Sequence, residues 1–319
     1  MWRGILCIGV VALGAGLAQA ASDGPYKVAR IAKVGGGGGF DYVFADADQR
    51  RLYVPRSGKD PAPRIVVFDL DTLAPVGEIA GISAHGAAVD PKSHHGFGSS
   101  KPVVMWDSKT LKTLKTIDVE GNPDGKDGKV LGTIDLGGAP EQAASDGKGH
   151  IYVDIEDKDN VAVIDAKTMT VTAHYDLAGK GGTCAGLALD AKNHILFVAC
   201  RAPANMVMMN ADSGKIIATV PLGAGTDGAV FNPKTMEAFS SQGDGSLTVV
   251  KETGPNTFVV EQTVKTPTTA KTLTLDRKTG RVLLIAAEFG PSAPPATPGG
   301  RPVRGPMVQD SFQIVAVGK

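Results

Sequence analysis

Seven residues hold the same place in a repeating pattern: Asp41, His85, Asp124, Glu141, Thr183, Asp227 and Lys271, at spacings of 44, 39, 17, 42, 44 and 44. They offer four carboxylates, an imidazole, a hydroxyl and an ammonium. Oxygen and imidazole donors suit Ca²⁺, Mg²⁺, Mn²⁺ or Zn²⁺, so a divalent metal is one cofactor the set could hold. A water activated on such a metal, with His85 and the carboxylates around it, would make a hydrolase or lactonase. The same groups can instead hydrogen-bond a small polar ligand or a protein partner with no reaction at all. A third use is structural, because polar groups that open strands can cap them and bond neighbouring strands or water. Of the set, Asp41, His85, Glu141, Asp227 and Lys271 are the candidate ligand-binding residues, and no residue is assigned a catalytic role.

Other chemistry finds little support. The stretch 223–228 (GAGTDG) matches a dinucleotide fingerprint by letter, but a strand follows it, and pyrophosphate binding needs a helix N-terminus there. Beyond residue 20 the chain has one tryptophan, Trp106, so the repeated tryptophans that dock the sheets of quinone-cofactor enzymes are absent. There is no C-x-x-C-H for haem and no G-x-S-x-G nucleophile elbow. His94, His95, His150 and His194 fall at or beside turns, where a solvated side chain is the simplest reading, and His174 lies on an outer strand. The loop 290–306 (GPSAPPATPGGRPVRGP) carries Arg301 and Arg304 and no acid, too few cations for nucleic-acid binding.

For the seven residues to meet, the elements carrying them must converge. Residues 140–182 contain four short runs, 142–145, 151–155, 161–164 and 170–177, each bounded by polar turns. Apolar and polar residues that alternate over a few positions make half-buried strands, so this unit is a small antiparallel sheet. Similar units cover 40–82, 83–120, 183–225, 226–268 and 269–319. A four-strand unit repeating at about 40–50 residues is a propeller blade, and inner-strand openings then ring one mouth of a central channel. In most units the third strand ends in an Asp or Asn followed by Thr or Ser: Asp69 and Thr72, Asp107 and Thr110, Asp165 and Thr168, Asn210 and Ser213. An Asx-turn folds the chain back there, which gives those acids a structural task. The lone strand 26–34 has no blade of its own and is expected to pair with the last unit and close the ring. Cys184 and Cys200 flank a hairpin symmetrically, which places them opposite each other and predicts a disulfide.

One unit is defective. Residues 124–140 (DGKDGKVLGTIDLGGAP) match only the fourth-strand pattern KIIATVPLGA of 215–224, so three strands are missing. The unit before it is also trimmed, at GFGSSKPVVMW. The residues thus give six complete blades and one truncated unit. With a formal net charge of zero, no global field recruits nucleic acid or anionic lipid. Residues 1–20 read as a signal peptide: Arg3, an apolar run over 5–17, and Ala18-Gln19-Ala20 as the cleavage site. The expectation is a periplasmic or secreted monomer with no membrane anchor, 21–319 forming one domain.

The strands LYVP, IYVD and LFVA, the V-x-V-I-D-x-x-T turn, and the openings FDY (40–42), HG (85–86), NPD (122–124), PE (140–141) and DGA (227–229) resemble the YVTN-repeat, or YncE-like, β-propellers. The resemblance covers essentially all of 26–319. It implies seven four-stranded blades, export, and binding roles rather than a shared reaction, with nucleic acid bound in one branch. The short third unit departs from that pattern.

Overall fold

The computed structural model describes residues 23–59, 61–118, 122–123, 129–294 and 304–319. Asp124, Arg301 and the leader-like residues 1–20 lie outside these. Runs such as RLYVPRS and HIYVDI alternate sides along a pleated chain, so each buries one row against each neighbouring sheet. The result is six sheets of four or five antiparallel strands, each ordered from the channel outward, and one two-stranded ribbon. We number these blades 1 to 6: 39–80, 87–117, 140–176, 184–221, 226–265, and 271–318 together with 27–33. Among the described residues the one helical element is a single 3-10 turn, Glu156–Lys158. No helix among them is long and apolar enough to cross a membrane.

The last blade takes its outer strand from the other end of the chain. Lys27–Lys33 pairs antiparallel with Gln313–Gly318, which pairs in turn with Val282–Ala286. Glu237 of blade 5 ties this closure down. Its carboxylate, fully buried, accepts from the Tyr26 hydroxyl and from Lys251 at 3.1 Å and Lys319 at 3.0 Å. The Lys319 ammonium also lies over the Tyr26 ring. Within blade 4, Cys184 and Cys200 are register partners and are joined by a disulfide.

Five seams between blades are closed by apolar clusters. Tyr53, Ile65 and Trp106 join blades 1 and 2; Tyr152, Leu187 and Val198 join 3 and 4; Phe197, Phe231 and Val250 join 4 and 5; Phe239, Leu273 and Val315 join 5 and 6; Leu52, Ile285 and Phe312 join 6 and 1. The seam between blades 2 and 3 differs. Val153, Ile155 and Ala162 of blade 3 pack against Ile134 and Leu136, which come from the truncated unit.

That packing corrects the seven-blade pattern implied by the family resemblance: the ring has six blades. The remnant forms only a two-stranded ribbon, Asn122–Pro123 with Val130–Gly132. A strand that short cannot bury a core of its own. Instead of extending the preceding blade it covers the face of the following one, and the amide of Ala139 bonds the Asp157 carboxylate at 2.7 Å.

Candidate functional site

One irregularity recurs at the start of the inner strands, and it aims the site residues. In blades 3, 4, 5 and 6 the register of the inner strand shifts between Pro140 and Ala143, Cys184 and Gly186, Thr226 and Gly228, and Lys271 and Leu273. A bulge takes the extra residue out of the ladder and turns it. Glu141, Gln142 and Asp227 sit in these shifts. In blade 1 the inner strand is broken outright, into Gly39–Phe40 and Phe44–Asp46, and Asp41 and Tyr42 fall in the break. In blade 2 the amide of Gly86 is held by the Ser99 hydroxyl at 2.8 Å, with His85 just before it.

These residues share one cavity of about 1100 Å³ at the channel mouth, lined by Asp41 and Tyr42 of blade 1, His85 of blade 2, Glu141 of blade 3, Arg201 of blade 4, Asp227 of blade 5 and Lys271 of blade 6. All five candidate ligand-binding residues are therefore brought together. Thr183 is not: it stands at positive φ and its amide bonds the Asp159 carboxylate, so its task is to hold blade 4 to the Asp159 turn. Tyr42, Gln142 and Arg201 are additions that the repeat spacing did not reveal.

The polar groups form three separate units. The His85 Nδ1 lies 2.7 Å from Asp41 Oδ2, and the imidazole is 82% exposed. The Tyr42 hydroxyl donates to Glu141 and lies 3.3 Å from the Ala185 carbonyl. Burial raises the Tyr42 pKa, and the hydrogen bond to Glu141 raises it further. Burial also raises the Glu141 carboxyl, and the nearby Glu156 and Asp227 carboxylates add to this against the hydrogen bond from Tyr42 and the charge of Arg201. The third unit is a chain of ions. Arg201 donates to Glu156, to Asp227 at 3.2 Å and to the Thr226 carbonyl at 2.8 Å, and Lys271 reaches the other Asp227 oxygen at 3.0 Å. Burial pushes Asp227 up, while Lys271 and Arg201 hold it back.

Behind this rim two groups shape the field. Asp154 is fully buried and neither oxygen has a hydrogen-bond partner. Burial raises its pKa well above the carboxylate range, and Glu141 and Glu156 add to this. Gln142 crosses the channel: its Oε1 accepts from the amides of Leu187 at 3.0 Å and Ala229 at 2.9 Å, and its Nε2 donates to the Ala229 carbonyl at 2.9 Å. It borders both the mouth cavity and a second cavity of about 770 Å³ at the other end of the channel.

Of the carboxylates that the sequence offers as metal ligands, the described ones, Asp41, Glu141 and Asp227, each face a protein partner. Among the described residues no group of three or more His, Cys, Asp or Glu side chains is placed to hold a metal ion. Of the turn histidines, His150 pairs with Asp146 and His194 with Asp212, both at 2.8 Å, whereas the Nδ1 atoms of His94 and His95 are buried without a hydrogen-bond partner and not solvated as the sequence suggested. The Asx-turns form as expected, with Thr72, Thr110 and Thr168 amides each 2.7 Å from the acid and Ser213 2.9 Å from Asn210.

No protein-family model matches the chain, and no curated protein matches it. Solved structures do. A chain in the crystal structure of a mitotic checkpoint complex superposes with a TM-score of 0.68 at 10% identity, covering 89% of this chain and 96% of that one. The β-propeller domain of Swd1 from Myceliophteria thermophila gives 0.60 at 11% identity, covering 82% and 97%. These likenesses establish a β-propeller and nothing narrower.

Proposed function

We propose that the protein is a ligand-binding propeller whose site is the channel mouth. The observation that carries this is the convergence of one or more polar side chains from every blade on a single cavity large enough for a small molecule. Charge narrows the ligand. Within the ionic chain two acids, Glu156 and Asp227, balance two bases, Arg201 and Lys271. Asp41 is paired with the His85 imidazole and Glu141 with the Tyr42 hydroxyl, and Arg201 reaches Glu141 only through space. Negative potential left at these two acids favours a cationic group. The resemblance to YVTN-repeat proteins and the leader-like first 20 residues support a binding protein of the periplasm or exterior. One structural neighbour comes from a mitotic checkpoint complex, and a protein partner would meet the same mouth through an exposed ammonium.

The test is thermal unfolding with small ammonium compounds. A ligand that binds only the folded state at 100 times its dissociation constant adds about 2.7 kcal/mol. Wild-type protein should melt higher with such a compound, and Asp41→Asn and Glu141→Gln should each lose most of the shift. Full retention in both variants would place binding elsewhere.

A further inference from the structure

The mouth cavity does not end at the charged rim. It runs sideways into the seam between blades 2 and 3, where Ala88, Phe97 and Val103 line one wall and Pro140 and Ala143 the other. The register explains why this wall is apolar. Ala88 pairs with Phe97 and Phe97 with Met105, so these residues project from one face of blade 2 together with Val103. The opposite face, with Val104 and Trp106, belongs to the cluster shared with blade 1. At every other seam both faces meet in a common apolar cluster. Here, among the described residues, the remnant strand adds Ile134 and Leu136 to a cluster whose other members all belong to blade 3. Phe97 and Val103 are left half-buried beside the cavity.

We infer that this seam is an apolar subsite and that the ligand is an amphiphilic cation: an ammonium group held by Asp41 and Glu141, with an aryl or branched alkyl group lodged against Phe97 and Val103. The inference rests on the channel-mouth reading and adds the part that sets specificity. A compact cation such as methylammonium meets only the two acids. A cation with an apolar group two or three bonds away also removes the Phe97 and Val103 surfaces from water, and apolar area removed from water is favourable wherever it is buried. Lys271 and Arg201 also line the cavity, each paired with Asp227. A neutral ligand of the same shape would fill the seam and leave the acids unmatched.

Three compounds separate the terms on the unaltered protein: methylammonium, phenethylammonium and 2-phenylethanol, each titrated calorimetrically at neutral pH. Phenethylammonium is expected to bind at least about tenfold tighter than methylammonium, the scale for burying an apolar group of that size, and tighter than the alcohol. Val103→Trp, which fills the seam, should bring phenethylammonium down to the affinity methylammonium shows for wild type. Its ligand-free melting curve reports whether the ring has stayed intact. If that variant does not fold, the wild-type ladder decides alone. Equal affinity for the two ammonium compounds overturns the seam subsite and leaves the mouth reading standing. Binding of the alcohol as tight as that of phenethylammonium overturns the cationic anchor. Absence of binding by both ammonium compounds overturns the mouth reading and the inference with it.

Discussion

Replacing Gln142 should reveal how much of the ring is held from inside the channel. Its side chain starts in blade 3 and makes three hydrogen bonds, to Leu187 of blade 4 and to both backbone groups of Ala229 in blade 5. A net intramolecular hydrogen bond contributes about 0.5–1.5 kcal/mol, so the three together bound the effect at roughly 1.5–4.5 kcal/mol. The site borders two cavities, and water entering after truncation can satisfy part of the exposed backbone. Gln142→Ala should therefore cost about 1–3 kcal/mol. Gln142→Met keeps the length and loses every polar contact, so it should cost as much as Ala if hydrogen bonding is the cause. Equilibrium urea unfolding of the three proteins measures this directly, with unchanged slopes showing that only stability has moved. A Met variant as stable as wild type would refute the reasoning and show that side-chain volume, not bonding, spans the blades.

Further expectations address closure, packing and the site. The Glu237 carboxyl is raised by burial but lowered more by hydrogen bonds, those from Tyr26 and Lys319 included, and ends at about 2 against an ordinary 4.5. A depressed acid stabilises the fold above its unfolded pKa, so this contribution should fade as pH falls from 4.5 towards 2, and Glu237→Gln should flatten that limb of the stability–pH curve; an unchanged limb would refute it. Gly96→Ala would place a Cβ about 2.1 Å from the Trp106 ring, and should lower stability by about 1–3 kcal/mol in chemical unfolding, the usual cost of overpacking. Cys184 and Cys200 enclose a sequence separation of 16; loss of their bond should cost about 3 kcal/mol, and denatured, unreduced protein should show neither thiol. Because burial raises the Glu141 carboxyl, cation binding should strengthen as pH rises through its titration, with Tyr42, Glu156, Asp227 and Arg201 as the neighbours that set the midpoint, and Glu141→Gln should flatten the calorimetric profile.

Much of this was legible in the residues. LYVP, IYVD and LFVA announce second strands because alternation is a local property, and the Asp-x-x-Thr turns announce where third strands end. The convergence of Asp41, His85, Glu141, Asp227 and Lys271 on one cavity was legible because they hold equivalent positions in successive repeats. Arg201 was not, because it follows a second strand and reaches the rim only through the fold. Gln142 was hidden for a related reason: its position in a bulge, not its spacing, turns it across the channel. The blade number was read correctly from the spacings and misread from the family pattern. The destination of the remnant strand depended on which blade offered uncovered apolar surface, a question of packing that Ile134 and Leu136 answer only in three dimensions.

The most direct test of the account is where a cation sits. Crystals grown with phenethylammonium should show the ammonium within hydrogen-bond reach of both Asp41 and Glu141 at the channel mouth, with the ring towards Phe97. Electron density for the compound in the cavity on the far side of Gln142, or on the outer strands with only water at the mouth, would contradict it.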